Sequence, residues 1–417
     1  MTKVLKLSQI LEPKNLRVGD MTIQPMSCTN KGIFLREEKF SKNLSKSLAK
    51  NKIAHKGDFI FGMSRKILNF GMMKFSEGSF SSAYKVYKCK FGYEFSVFLD
   101  LYIRLNHDYF FQCISGGARE GQSISEDILF NLEVNVPDNN DIENLVRIVD
   151  FFNSKIELYQ QMNETLEEIA MTLFKSWFID FDPVRAKAEG RPTVLSKEIS
   201  DLFPDSFEDS ELGKIPKGWQ IIRLKDLAKE VGKKIKKGKE TEEKPYVPID
   251  EISSEQLFLS QYKNGDEANS SLVSFLKDDI LFGAMRPYFH KVCISPFDGT
   301  TRTTCLVLNS IDKCYSSFLV FFLFQKSTID YATQNSTGST IPYIKWQNYL
   351  ENLELCLPPK EIGLEFKEFT SPILKKFQQH IFETRNLSNM RDTLLPKLIS
   401  GELKIPDTEN LIEEASI

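Results

Sequence analysis

The sequence predicts an α+β protein built twice: two pseudo-repeated globular α/β domains separated by two long antiparallel coiled-coil helices. Three observations predict it. The first is an internal repeat. GDFIFGMSR from Gly57 matches DDILFGAMR from Asp278, so that Asp58, Phe61, Gly62 and Arg65 fall on Asp279, Phe282, Gly283 and Arg286, 221 positions later. The same offset carries Gly78 to Gly299, Val86 to Val307, and LEVNVP (Leu132 to Pro137) to LELCLP (Leu353 to Pro358). One shared hexapeptide could be chance, whereas a constant register over so long a span points to tandem duplication. The second is a pair of long stretches with apolar residues at spacings of three and four. The third is a break between them at Pro183, followed by a polar, acidic run.

In order along the chain, each copy opens with short strand-like runs punctuated by glycine and asparagine. They are Asp58–Phe61, Ala83–Tyr87 and Leu132–Val136 in the first copy, and Asp279–Phe282, Cys305–Leu308 and Leu353–Leu357 in the second. Pro137 or Pro358 closes the block, and a helical pattern follows. In the first copy Leu145, Val149, Phe152, Ile156, Tyr159, Leu166, Ile169, Leu173 and Trp177 mark one stripe. In the second, Ile362, Phe366, Phe369, Ile373, Phe377, Ile381, Leu387, Leu394 and Leu398 do the same. A helix of roughly 37 residues is about 55 Å long. Alone it would leave its stripe wet; two equivalent ones can pack on each other as a coiled coil. The alternative is that each stripe packs only on its own block. Pro372 either kinks the second helix or sits in its first turn after Ser371. Pro183 stops the first helix, and Arg185 to Asp209 has a linker composition. The boundaries expected are 1–140 for the first domain, 141–179 for its helix and 180–210 for a linker loop. The second domain then covers 211–360, its helix 361–400, and a C-terminal tail 401–417.

Composition narrows the function. The chain has 417 residues, 41% hydrophobic and 27% charged, too long for one ordinary core. Its longest apolar run, Phe318 to Phe324, is about a third of a membrane span, and the N-terminus lacks the apolar core of a signal peptide. Seven cysteines without a C-x-x-C fit reduced thiols and a cytoplasmic setting. The net charge of −3 hides a division. Residues 1–140 carry 20 Lys+Arg against 14 Asp+Glu, whereas residues 141–215 carry 8 against 16. A basic block suits a polyanion.

Motifs for catalysis are missing. There is no G-x-x-x-x-G-K-[ST] for a nucleotide and no N-P-P-[FY] run of the amino-methyltransferase kind. Glu12-Pro13-Lys14 has the acid-x-Lys form of a nuclease site without a preceding Pro-Asp. Scattered histidines make a metal site unexpected, so no catalytic residue and no bound cofactor is expected.

Nucleic-acid binding needs cations for phosphates and flat or forked groups for base edges. The candidates in the first block are Arg65, Lys66, Lys74, Tyr84, Lys85 and Arg119. In the second they are Lys233, Lys234, Lys236, Lys237, Lys239, Arg286, Tyr288, His290, Arg302, Gly338, Tyr343 and Lys345. Arg65 and Arg286 are equivalent in the repeat; each could fork onto guanine or brace its own domain. Gly338, and Gly116 with Gly117, could let backbone approach phosphate, or form plain surface turns. The run Val231 to Glu240 is the densest positive cluster. Where the first helix opens into the linker, Phe178, Asp180, Phe181, Asp182 and Arg185 are candidates for contact with a protein partner.

Four segments together resemble the specificity subunits of type I restriction-modification systems. SWFIDFDPVRAKAEGRP (Ser176 to Pro192) is similar to that family's central conserved region. ELGKIPKGWQIIRLKDL from Glu211 is similar to the start of its second target-recognition domain. TGSTIPYIKWQNYL (Thr337 to Leu350) resembles a segment late in such a domain, and LLPKLISGELKIP from Leu394 the distal conserved region. The resemblance implies two target-recognition domains, each reading one half of a bipartite double-stranded DNA site. It implies helices that set the spacing and dock two methyltransferase subunits, with restriction/translocase subunits joining later. S-adenosylmethionine, ATP and Mg would belong to those partners. A coiled-coil scaffold that binds proteins without DNA recognition is the alternative.

Overall fold

The repeat in the sequence is a repeat of the strand order. The computed structural model describes residues 3–36, 48–63, 67–114, 124–268 and 271–403. In the first copy a four-stranded antiparallel sheet runs Leu11–Pro13, Lys85–Cys89, Phe59–Phe61, Phe70–Met72. In the second the same sheet runs Ala228–Glu230, Cys305–Ser310, Ile280–Gly283, Val292–Ile294. Even the pairing register is kept: Ile60 lies opposite Val86, and Leu281 opposite Val307.

The opening of each copy repeats too, although the sequence hides it. Lys3–Lys6 pairs with Glu133–Val136 and leads into the helical turn Leu7–Ile10. Gln220–Arg223 pairs with Glu354–Leu357 and leads into Leu224–Leu227. Lys3 and Gln220 are 217 apart, whereas their partners Val136 and Leu357 are 221 apart. The second copy therefore carries four extra residues in between. The hairpin Phe207–Ser210 with Gly213–Pro216 precedes the second copy.

Two repeated residues have structural reasons. Asp58 and Asp279 are buried, and each accepts a hydrogen bond from the backbone N–H three residues earlier, His55 at 2.8 Å and Leu276 at 2.7 Å. Each closes the turn that starts the central strand. Gly78 and Gly299 lie where strands meet other side chains tightly. A Cβ at Gly78 would stand 2.5 Å from Met26 Cγ, and one at Gly299 2.6 Å from Phe275 Cζ.

The chain divides into two compact units, Met1–Ser154 with Asn389–Ile417, and Lys155–Ser388. The long helices Asn139–Phe178 and Lys360–Ser400 each contribute to both. They run antiparallel. In the second unit Trp177 meets Phe366, with ring centroids 6.0 Å apart, and Asn163 meets His380 at 2.6 Å. In the first, Arg391 Nη1 donates to Asn153 Oδ1 at 2.8 Å. Most stripe residues face inward, but Ile169 and Phe369 are about half exposed.

Two expectations need correction. Pro372 is not in a first turn; the helix starts at Lys360 and runs through it. Its missing N–H removes one intrahelical bond, and burial of Thr370, Leu374 and Phe377 around it holds the helix. Residues 180–210 are not an open linker loop. Pro183 starts a new helix, Asp182–Ala188, in the position where proline's fixed φ suits a first turn. Val184 and Phe203 are fully buried. Lys187 Nζ donates to the carbonyls of Ser200 and Phe203, tying the segment together.

All seven cysteines are unpaired, six of them buried. Among the described residues no helix is long and apolar enough to cross a membrane.

Candidate nucleic-acid interface

In the second copy three loops meet at one end of the four-stranded sheet. The first follows strand Ile280–Gly283. Arg286 and His290 both take left-handed backbone conformations, φ 52° and 50°, around the turn Pro287–Phe289. Such geometry is costly for residues with a Cβ and needs external support. Arg286 N–H donates to the Pro342 carbonyl at 2.7 Å, and the His290 ring nitrogen Nε2 reaches the Phe324 carbonyl at 2.8 Å. Because that partner only accepts, Nε2 carries the proton. Burial pushes the His290 pKa down, so the imidazole is neutral at neutral pH.

The second loop, 337–345, is closed by a pair of backbone bonds between Thr337 and Tyr343, 2.9 Å each. Gly338 turns it with φ 98°. Ile344 N–H donates to the Ala284 carbonyl at 2.9 Å. The Tyr343 hydroxyl donates to the Thr303 carbonyl of the third loop at 2.9 Å, and burial raises its pKa so that it stays a neutral phenol.

Around this junction Tyr288, Arg302, Gly338 and Lys345 are exposed, and so is Phe289, which the sequence reading missed. Arg286 Nε and Thr304 Oγ1 are buried without a protein partner. A forked cation, aromatic faces, hydroxyls and a glycine turn at one place form the donor set that base edges and phosphates require. The lysine run lies on another part of the same unit. Lys233–Ile235 is an edge strand paired with Leu272–Phe275. Lys233, Lys234, Lys236, Lys237 and Lys239 are exposed, with Lys237 Nζ donating to the Asp266 carbonyl at 2.8 Å.

The first copy gives fewer free candidates. Lys74 is exposed in the turn before strand Glu77–Phe80. Tyr84 is a packing residue: its ring covers Gly62, where a Cβ would stand 2.9 Å away, and its hydroxyl accepts from Cys28 N–H at 3.5 Å. Lys85 pairs with Glu126 at 3.0 Å, and that bond holds the Glu126 carboxyl below its usual pKa. Arg65, Lys66 and Arg119, with Gly116 and Gly117, lie outside the described residues.

The partner candidates divide similarly. Phe178 is buried against Phe366, Phe318 and Trp219, at 4.9, 5.0 and 6.1 Å between ring centroids. It therefore cannot present its ring to a partner. Phe181, at φ 54°, packs edge-on against Trp219. Arg185 Nε caps the Asp180 carbonyl at 2.6 Å, while the Asp180 carboxylate pairs with Lys175 at 3.2 Å. Asp182 and Arg185 remain exposed. The Trp177 to Arg185 stretch thus joins the end of the first long helix, the start of the second and Trp219. One apolar surface escaped the sequence reading: Leu158, Met162 and Ile169 stand half exposed along the first long helix. Their spacing of four and seven is the signal that marks one helical face.

No group of His, Cys, Asp and Glu among the described residues could hold a metal ion.

Comparisons with known proteins agree with this architecture. A family model described as the type I restriction modification DNA specificity domain matches residues 216–388. The type I restriction enzyme HindI specificity subunit of Haemophilus influenzae is 27% identical over 361 residues, covering 74% of this chain and 77% of its own length. The MjaIX specificity subunit of Methanocaldococcus jannaschii is 28% identical over 314 residues, covering 70% and 66%. Among solved structures, the S subunit of a type I restriction-modification system from M. genitalium has the same fold. Its TM-score is 0.52 at 14% identity, over 95% of this chain and 96% of that one.

Proposed function

Because the chain belongs to the specificity subunits of type I restriction-modification systems, we propose that its two copies read the two halves of a bipartite DNA site. It is the non-catalytic, sequence-specific DNA-recognition component of its complex. The observation that carries the two-part reading is the repeated sheet. The same four strands in the same register appear twice, each followed by a helix of 40 or 41 residues.

In this reading the second copy approaches bases through Arg286, Tyr288, Arg302, Tyr343 and the Gly338 loop. The lysines from Lys233 to Lys239 meet phosphates. Lys345 stands beside the loop, His290 shapes it from within, and Lys74 is the described cation of the first copy. Tyr84 and Lys85 support their block. Arg65, Lys66 and Arg119 are the further candidates there. The domains are 1–140 and 211–360, and the helices set the gap between half-sites. Two methyltransferase subunits dock along the helices, where Leu158, Met162 and Ile169 leave apolar surface, with Asp182 and Arg185 nearby in sequence. Restriction/translocase subunits complete the assembly, and S-adenosylmethionine, ATP and Mg act on those partners.

The test is methylation mapping. The chain is expressed with the methyltransferase subunit of its system in a methylation-free host, and modified bases are sequenced. Two short half-sites around a fixed gap are expected. One contiguous motif would sink the bipartite reading.

A further inference from the structure

Two clefts occupy the same place in the two copies. In the second unit a cleft of about 350 Å³ is lined by Lys277, Asp278, Asn309, Ser310, Lys313 and Ser317. In the first, a cleft of about 370 Å³ is lined by Lys56, Gly57, Lys88, Cys89, Gly92 and Ser96. These are the same six positions, 221 residues apart. The second long helix adds Lys367 and Lys375 to the second cleft. They lie eight residues apart, on one helix face.

The second cleft is basic and largely uncompensated. Among the described residues, Lys277, Lys313, Lys367 and Lys375 have no carboxylate within ion-pair distance. Its one acidic lining residue, Asp278, accepts from Gln378 at 2.5 Å. The first cleft is more balanced. Lys14 pairs with Asp58, and Lys88 stands 3.7 Å from Glu12, but Lys56 lies over the Tyr93 ring at 4.4 Å. In the second cleft Lys367 Nζ donates to the Lys313 carbonyl at 2.9 Å, which leaves its charge unneutralised, and like charges gathered without carboxylate partners favour an anionic occupant.

Shape and place decide which anion. The second cleft has an apolar floor of Ile280, Ile294, Val320 and Leu374. A concave, apolar-floored site suits a protein side chain with acidic neighbours, whereas a DNA backbone is convex and wet. The cleft also lies at the Ile280 end of the central strand, and Arg286 follows its Gly283 end. DNA at the Arg286 loops would thus meet the opposite end of the sheet. We propose that each cleft receives an acidic segment from a methyltransferase subunit, one subunit per copy, and that the segment in the second cleft also carries an apolar anchor for its floor. This rests on the partner reading above.

The test titrates the full chain with its purified methyltransferase subunit by calorimetry, without DNA. One variant carries Lys277→Glu, Lys313→Glu and Lys375→Glu; a second carries Lys56→Glu and Lys88→Glu; a third combines them. Each single-cleft variant is expected to lose one of two bound subunits or weaken it at least about tenfold. The combined variant loses both, with circular dichroism unchanged. The corresponding glutamine variants, gentler on the fold, lose affinity in the same order. Lys225→Glu with Lys229→Glu, exposed and outside the clefts, leaves association intact. Undiminished association in the combined variant overturns the proposal. So does undiminished association with weakened DNA retention, which would make these lysines phosphate contacts. A wild-type chain that binds no methyltransferase subunit overturns the partner reading itself and this one with it.

Discussion

Arg286 combines a left-handed backbone with a side-chain Nε that finds no protein partner. A residue held in that conformation by the Pro342 carbonyl is positioned rather than loose. Arg286→Ala is therefore expected to relax discrimination at one base of the second half-site, by about 1–3 kcal/mol. Methylation mapping of the variant should show the first half-site unchanged; relaxed specificity in both halves would refute a local role. Glu167 matters for stability instead. Burial first, then the nearby Glu164 and Glu168, raises its pKa to about 7, although it accepts Leu257 N–H at 2.7 Å. Its folded pKa lies above the unfolded value, so its contribution is fully present at low pH and is lost as pH rises through about 7. Glu167→Gln keeps an acceptor for Leu257 and removes the charge. Thermal melts should show it more stable than wild type at pH 8 and no more stable at about pH 4, below the ordinary glutamate value. Equal gains at both pH values would contradict the assigned cause.

At the scale of elements, the interior proline is the clearest test. A helix-interior proline costs about 3 kcal/mol against alanine, and Pro372 lies inside a continuous helix. Pro372→Ala should raise the melting temperature; a lowered one would mean that the helix needs a bend there. The edge strand Lys233–Ile235 and the lysines after it give a second test. Replacing Lys233, Lys234 and Lys236 by glutamine should reduce the slope of log affinity against log salt by about 3 if each meets a phosphate. An unchanged slope would remove the run from the interface.

Element positions were legible in the sequence because each copy corroborated the other: the strands around Phe61 and Phe282, and both long helices, stand where the repeat put them. Pro183 was misread because the ring that ends one helix also suits the first turn of the next. The roles of single residues were less legible. Lys85 looks like any surface cation until Glu126 is seen beside it, and Phe178 until Trp219 closes over it. Those partners lie 41 residues away in sequence, a separation that no local pattern encodes.

For the whole molecule, the proposed spacing role of the helices makes a sharp prediction. Deleting about one turn, roughly 5.4 Å, from both Asn139–Phe178 and Lys360–Ser400 should shorten the preferred gap while leaving the half-sites unchanged. Altered half-site bases, read by methylation mapping, would count against the helices as a spacer.

The division of the chain also governs its birth. The second unit is one continuous stretch, Lys155–Ser388, whereas the first is closed by residues that come after it. During synthesis at roughly 5–20 residues per second, on the order of ten seconds to a minute separates Ser154 from Asn389. Through that interval Asn153 waits for Arg391, and the first unit lacks Leu395, Leu398 and Ile399, which are buried in the finished chain. A premature stop codon just after Ser388 would spare every residue of the second unit and leave the first permanently unfinished, so a nonsense mutation at the far end of the gene would strike the product of its beginning.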